Sequence, residues 1–356
     1  MVSSRGGLTV KQINDNINKC KRALYSLVGC SLFKTSLSPC ALSKLYWSVS
    51  VPILVSCAEV RAFSDVEIDM YETFHRSMAK DIQLLPMHTA NAAVLSLLGW
   101  RDISTHIDYL KLLFIQRLLS LDPTSIYHIV FIRRFYEILG SKIYTSISPV
   151  AQILKLCHKY RILPQVLNCI ESGIIPSKNT WKHWTASVLN DFNHHMWHFE
   201  VHLYRKLDVF RTVVIKIEPS VWWIIAKSQP SLKRQCCTVI RLLCGVSTLN
   251  AHKNVNVPRH ARTCGLCNLN EIEDTFHLVV RCTLMVDLRR WLFTEMVKSL
   301  SQECLDTLYG LSDAMIFNIL MGLQFPFSVV DLYRLRKASC VAIHKMYIRR
   351  KKFEPA

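Results

Sequence analysis

Glycine and proline are sparse in this chain, ten and twelve of 356 residues. A β-sandwich or barrel needs many tight turns, so this scarcity argues against one and favours long helices. Acidic side chains are short too: 26 Asp and Glu face 44 Lys and Arg, for a formal charge of +18. No two aspartates are adjacent anywhere. There is no Gly-rich phosphate loop, no nucleophile elbow and no Ser-His-Asp order. Only 20% of residues are charged while half are apolar, which excludes wholesale disorder.

Long hydrophobic runs are lacking as well. The uncharged stretches Leu45 to Ala58 and Ala314 to Val330 raise the question of a membrane span. The first is too short and holds Pro52; the second carries Asn318, Gly322, Gln324 and Pro326. A span needs about 20 mostly apolar residues, so both read as buried core helices and no membrane partner is expected. The opening Met1-Val2-Ser3-Ser4-Arg5-Gly6-Gly7 is polar and small, unlike a secretory signal. The 14 cysteines are therefore expected in a reducing, intracellular setting, nucleus or cytoplasm, most of them as small buried hydrophobes.

What is present is helical periodicity. Val10, Ile13, Ile17, Cys20, Leu24 and Leu27 recur at alternating spacings of three and four on a polar, basic background, with Gly29 as the stop. A second helix is expected from Ser38-Pro39, Ser as cap and Pro in the first turn. Further helices are expected over Asp65 to Leu85, Ala90 to Leu98 closed by Gly99, Ser104 to Leu121, Ser125 to Leu139, and Val150 to Leu163 ending before Pro164. Others follow over Thr180 to Leu207, Pro219 to Lys227, Ser231 to Leu243 closed by Gly245, Leu284 to Leu300, Gln302 to Tyr309, Asp313 to Gln324 and Ser328 to Lys352. Val209 to Ile217, short and β-branched, is the one stretch readable as a strand. Ser247 to Arg262 reads as a linker. The expected class is all-α: an irregular multi-helix bundle with a small Cys-Cys-His-Cys zinc knuckle. Four regions are anticipated: helices over 1–62, a helical connector over 63–246, a zinc-binding segment over 247–283 and basic helices over 284–356.

The sharpest motif is Cys264-Gly265-Leu266-Cys267 followed by His277 and Cys282. Zinc takes four tetrahedral N or S ligands, and Cys-x-x-Cys places two thiolates on one side of an ion. His277 and Cys282, separated by four residues, can close the other side from the start of a helix. Four protein ligands leave no open position, so the Zn2+ would be structural. Chance spacing in a chain rich in Cys and His is the competing reading. Against it, Phe276, Leu278, Val279 and Val280 can pack a miniature core behind the metal.

These residues carry a resemblance. Cys264 to Cys267, with Glu273-Asp274-Thr275 before Phe276-His277-Leu278-Val279-Val280-Arg281-Cys282 and Arg289-Arg290 after, resembles the zinc-binding segment downstream of the polymerase in non-LTR (LINE-like) retrotransposon reverse transcriptases. Ile13-Asn14 through Lys19-Cys20-Lys21-Arg22-Ala23-Leu24-Tyr25-Ser26-Leu27 looks like the first thumb helix of that family. Leu45-Tyr46-Trp47 and Val51-Pro52-Ile53-Leu54 look like the next thumb helix. Phe74-His75-Arg76, Ile82 to Pro86, Trp181-Lys182 and Leu242-Leu243-Cys244-Gly245 are similar to stretches that follow. The family's palm carries an aromatic-x-Asp-Asp box, and two-metal polymerisation needs clustered carboxylates. This chain has no Asp-Asp, so the resemblance implies thumb and tail without polymerase activity: a grip on RNA or DNA, with a separate reverse transcriptase chain as a further partner.

The charge itself points to a polyanion, nucleic acid before an acidic membrane surface. Lys19, Lys21, Arg22, Arg281, Arg289, Arg290, Arg349, Arg350, Lys351 and Lys352 are the candidate phosphate contacts; a solvated basic tail is the plainer reading of the last four. Trp181, Trp184, Trp197, Trp222 and Trp223 lie near lysines and arginines and suit either base stacking or core packing. His194, His198 and His202, spaced by four beside His195, share a helix face that can hold a metal or simply be exposed. Asp65, Asp69 and Glu72 also share a face, with Glu67 nearby; a magnesium-dependent nuclease is one reading, a solvated face the other. A helical interaction scaffold without binding activity, non-functional or domesticated, is the remaining alternative.

Overall fold

The computed structural model describes residues 3–28, 37–141, 148–253 and 257–353. Among them there are seventeen α-helices and no β-strand, only two isolated bridges, Leu98 to Pro219 and Thr263 to Ile272. In chain order the helices are α1 (Ser3–Val28), α2 (Pro39–Leu45), α3 (Val51–Leu54), α4 (Asp65–Gln83), α5 (Asn91–Ser96), α6 (Ile103–Leu119), α7 (Ile126–Ser141), α8 (Pro149–Lys159) and α9 (Leu163–Ser172). They continue as α10 (Lys178–Leu203), α11 (Asp208–Val213), α12 (Val221–Ser228), α13 (Lys233–Leu243), α14 (Val286–Ser299), α15 (Gln302–Tyr309), α16 (Asp313–Leu320) and α17 (Val329–Lys352). No helix among the described residues is long and apolar enough to cross a membrane.

The chain divides into two units. The first comprises Met1–Leu27, Leu45–Arg76 and Arg101–His198. In α1 the expected stripe faces inward at Ile13, Cys20 and Leu24, which are fully enclosed, and at Val10 and Ile17, which are half-buried, while the intervening Lys11, Asp15, Lys19, Lys21 and Arg22 are exposed. Gly29, its expected stop, lies outside the described residues. A core runs through α6 to α10, built on Leu112, Ile115, Phe135, Leu154, Val166 and Trp181. The Trp181 indole donates to the Leu112 carbonyl at 2.9 Å, so its polar edge is satisfied inside that core.

His75 is a second anchor of this unit. It is fully buried, with Nε2 3.0 Å from the Arg101 carbonyl and Nδ1 2.9 Å from the Tyr46 hydroxyl. A carbonyl only accepts, so Nε2 carries the proton and Nδ1 accepts from Tyr46. Burial lowers the His75 pKa to about 4, which holds this neutral tautomer.

The second unit comprises Val28–Lys44, Ser77–Trp100 and Phe199–Ala356. Ser38 caps α2 as expected, its Oγ accepting from the Ala41 amide at 3.3 Å. Here α12, α13, α14 and α17 pack together. Trp222 and Trp223 are fully buried, donating to the Met321 carbonyl at 3.0 Å and to Gln83 Oε1 at 2.9 Å. Gly245 ends α13 with φ +63°, and a Cβ there would stand 2.4 Å from the Lys206 carbonyl oxygen. The expected stop is thus enforced twice, by backbone conformation and by space.

Several expectations fail: the helices expected to reach Leu207 and Gln324 stop at Leu203 and Leu320, and three further readings change as follows. Val209 to Ile217 is not a strand: α11 occupies Asp208–Val213. Leu207, Phe210 and Val213 are buried at spacings of three, so burial at helical spacing overrides the β-branched composition. The helix expected over Val150 to Leu163 stops at Lys159, where Arg161 turns the chain with φ +56°. Pro164 then sits in the first turn of α9, where its missing N–H costs nothing. Ser247 to Lys253 is no free linker: Leu249 is fully buried, and the Thr248 amide donates to the Tyr347 hydroxyl at 3.2 Å.

Candidate metal centre

The segment 262–282 is a short hairpin followed by one wide helical turn. Thr263 and Ile272 bridge antiparallel, the Cys264 amide donates to the Glu271 carbonyl at 2.9 Å and the Glu273 amide to the Arg262 carbonyl at 2.9 Å. The Cys-Gly-Leu-Cys turn is the hairpin tip. Asp274 then holds the entry to the turn over His277–Arg281, its Oδ1 accepting from the His277 amide at 2.8 Å. The Cys282 amide closes that turn on the His277 carbonyl at 2.7 Å. Two separately stabilised pieces thus bring one Cys pair and the His-Cys pair face to face.

The donor atoms of Cys264, Cys267, His277 and Cys282 all lie within 4.8 Å of one another. Cys267 Sγ is 3.4 Å from His277 Nε2. A tetrahedral zinc site with its usual bond lengths has N to S edges of about 3.5 Å, so this separation fits. Cys264, His277 and Cys282 are buried and Cys267 is partly exposed. Burial pushes the Cys264 thiol up to about 12 and raises Cys282 as well, because thiolate charge is unfavourable in this pocket without a cation. Three sulfurs and an imidazole suit zinc among the common divalent ions.

His277 Nδ1 lies 3.1 Å from Glu271 Oε2. With Nδ1 donating to that carboxylate, the Nε2 lone pair faces the cluster. Arg281 donates to the other Glu271 oxygen at 2.8 Å, which fixes the carboxylate. Glu273, two residues on, is fully buried and takes both its oxygens to Arg350 of α17, at 2.8 and 2.9 Å. It also accepts from the Asn250 amide at 2.9 Å. Glu271 and Asn250 are supporting residues that sequence reasoning did not single out, and Glu273 and Asp274 entered it only as part of the resemblance, with no role given. The signal was there: Glu271, Glu273 and Asp274 form a dense acidic stretch in a chain short of acid.

The other candidates fall differently. Among the described residues the four-residue cluster is the sole His, Cys, Asp or Glu group able to hold a metal. Asp65 and Asp69 are exposed, whereas Glu72 is buried and accepts from the Ser104 amide at the start of α6, 2.9 Å away. Burial, with the Asp102 carboxylate nearby, raises Glu72 to about 7. Glu67 is turned inward as well, accepting from Arg61 at 2.8 Å and the Ser64 amide at 2.7 Å. The carboxylates a nuclease would need do not converge. His194, His195, His198 and His202 are exposed along α10 without forming a metal-holding group. Trp181, Trp197, Trp222 and Trp223 are buried and Trp184 packs against Trp181, so the core reading holds for them and base stacking does not.

Of the candidate phosphate contacts, Lys19, Lys21 and Arg22 are exposed on α1 of the first unit. In the second unit Arg281, Arg290, Lys351 and Lys352 are exposed, Arg289 is half-buried, and Arg349 pairs with Asp287 at 2.8 Å. Arg350 is the correction: it is buried against Glu273 and cannot present its guanidinium to a ligand. The basic tail is a helix, so successive residues point about 100° apart and one cation of the run faces inward.

Comparison of the chain with protein-family models, with the curated proteins and with solved structures finds no match.

Proposed function

We propose that this chain is a zinc-braced, nucleic-acid-binding protein that grips phosphate backbones without reading sequence. The observation that carries the reading is the convergence of Cys264, Cys267, His277 and Cys282 within a chain of charge +18. Zn2+ held by these four side chains would be coordinatively filled, so its role is to fix the hairpin and not to activate water. The exposed Arg281, Arg290, Lys351 and Lys352 supply point charges and forked donors in the same unit. The resemblance to the thumb and tail of non-LTR retrotransposon reverse transcriptases supports the same reading, and a separate polymerase chain is the partner it suggests. The absence of an Asp-Asp pair and the dispersal of Asp65, Asp69 and Glu72 support a role without catalysis.

The test is an electrophoretic mobility shift with single-stranded RNA, duplex DNA and an RNA–DNA hybrid at about 50 mM salt, where electrostatic contacts are strongest. Binding should weaken steeply as salt rises and differ little between sequences. Absence of a shift with all three would leave the helical interaction scaffold as the better account.

A further inference from the structure

In the second unit, α13 and α17 form the walls of an open cleft of about 470 Å³. Five basic side chains line it: Lys233, Arg234 and Arg241 from α13, and His344 and Lys351 from α17. No carboxylate lines it. Elsewhere several acids are committed to neighbouring cations: Asp108 to Lys159, Asp208 to Arg211 and Arg259, Glu271 to Arg281, Asp287 to Arg349, Glu273 to Arg350. Among the described residues none of the five cleft groups takes part in such a pair. Burial and the nearby Arg234 lower the His344 pKa below its usual 6.5, which leaves Lys233, Arg234, Arg241 and Lys351 as the cations; held together without a counter-charge they repel one another, and an anion seated among them removes that repulsion.

The groups are also positioned. Leu84, at φ +56° beyond the end of α4, directs its carbonyl to Arg241 Nη2 at 2.8 Å. Lys233 Nζ is held by the Leu37 carbonyl at 2.6 Å, and His344 Nδ1 lies 2.7 Å from Thr238 Oγ1. A guanidinium fixed at one nitrogen keeps other N–H groups for a ligand and loses little freedom on binding. The cleft's one aromatic, Tyr347, is buried, bonded through its hydroxyl to Thr248 and faced by the Lys351 ammonium at 5.5 Å. It offers no free face to a base. The chemistry on offer is for phosphate oxygens.

We infer that the cleft between α13 and α17 is a phosphate site that seats the backbone of a bound nucleic-acid strand, with Arg234 and Arg241 as the forked donors. This rests on the nucleic-acid reading above and places its main contact. Arg234 is exposed and its side chain donates no hydrogen bond among the described residues, so Arg234→Gln with Lys351→Gln removes cleft charge at the loss of one contact, that of Lys351 with the Tyr347 ring. Arg234→Gln with Arg241→Gln is the stronger variant. Lys11→Gln with Lys155→Gln, equal in charge, exposed, and located on α1 and α8, is the control.

The experiment is fluorescence anisotropy of the intact, zinc-loaded protein with labelled single-stranded RNA across a salt series. Both cleft variants should lose about tenfold or more in affinity, and their log–log salt slopes should flatten by about one to two contacts, while the control changes less. Equal weakening of cleft and control variants overturns the site while leaving nucleic-acid binding intact. If the unaltered protein binds no nucleic acid, the broader reading fails instead, and titration with inorganic pyrophosphate decides the cleft by itself. Pyrophosphate binding that disappears in Arg234→Gln/Lys351→Gln keeps the phosphate site; no binding, or binding unchanged in the variant, removes it.

Discussion

Arg350 and Glu273 meet as a two-pronged ion pair sealed from solvent, Nε to Oε1 at 2.8 Å and Nη2 to Oε2 at 2.9 Å. It fastens the last helix to the base of the hairpin that carries Cys264 and Cys267. Removing one member of such a pair strands the other charge, at about 3–5 kcal/mol. Arg350→Met and Glu273→Leu should each lower the unfolding free energy of the protein, read from urea denaturation, by that order. The double replacement Arg350→Met/Glu273→Leu should recover much of the loss. A double variant as unstable as the sum of the singles would contradict the pairing.

Zinc should be present at one ion per chain. Chelation should release it with loss of order in residues 262–282, since binding and folding of such a segment are linked by roughly 10–16 kcal/mol of apparent energy. Metal analysis of Cys264→Ser and Cys282→Ser should fall well below one ion. Thiolates must shed protons to bind, so affinity should drop as pH falls. A purified protein that neither contains nor takes up zinc would refute the centre.

Glu271→Gln tests the carboxylate behind His277. It keeps the shape and removes the charge that orients Nδ1, and about 10- to 100-fold of zinc affinity should go with it. Arg281→Gln, which touches the same carboxylate from its exposed side, should have a smaller effect. Competition with a chromophoric chelator measures both, and a Glu271→Gln protein with unchanged affinity would rule out the supporting role.

His75 predicts a pH dependence. Its pKa falls from 6.5 when unfolded to about 4 in the fold, mainly through burial. The neutral form is the one the fold accepts, so this stabilisation is complete above 6.5 and is lost as pH falls from 6.5 towards 4. The full shift corresponds to about 3 kcal/mol. His106, also lowered to about 4 by burial, adds in the same direction. Denaturation midpoints should decline across this window, and His75→Gln, which cannot titrate there, should flatten part of the decline. An unaltered slope would show that the imidazole is not the source.

The Cys264, Cys267, His277 and Cys282 cluster was legible because all four fall within nineteen residues and their spacing reports geometry directly. The helices were legible where an apolar stripe repeats, as in α1. Segment 209–217 was misread because a β-branched run says nothing of Leu207, Phe210 and Val213 being drawn to one buried side. Arg350 was misplaced because its partner Glu273 lies 77 positions earlier. The cleft was invisible for the same reason: Thr238 and His344, which meet across it, are 106 positions apart.

Arg350 and Lys351 are consecutive on α17, yet one lies under the hairpin and the other lines the cleft. Each added or missing residue upstream in the helix would swing both by about 100°. A single-residue insertion after Cys340 would therefore carry Arg350 out of its buried seat and Lys351 off the cleft wall at once. The tail should accept exchanges of one side chain for another far more readily than any change in its length.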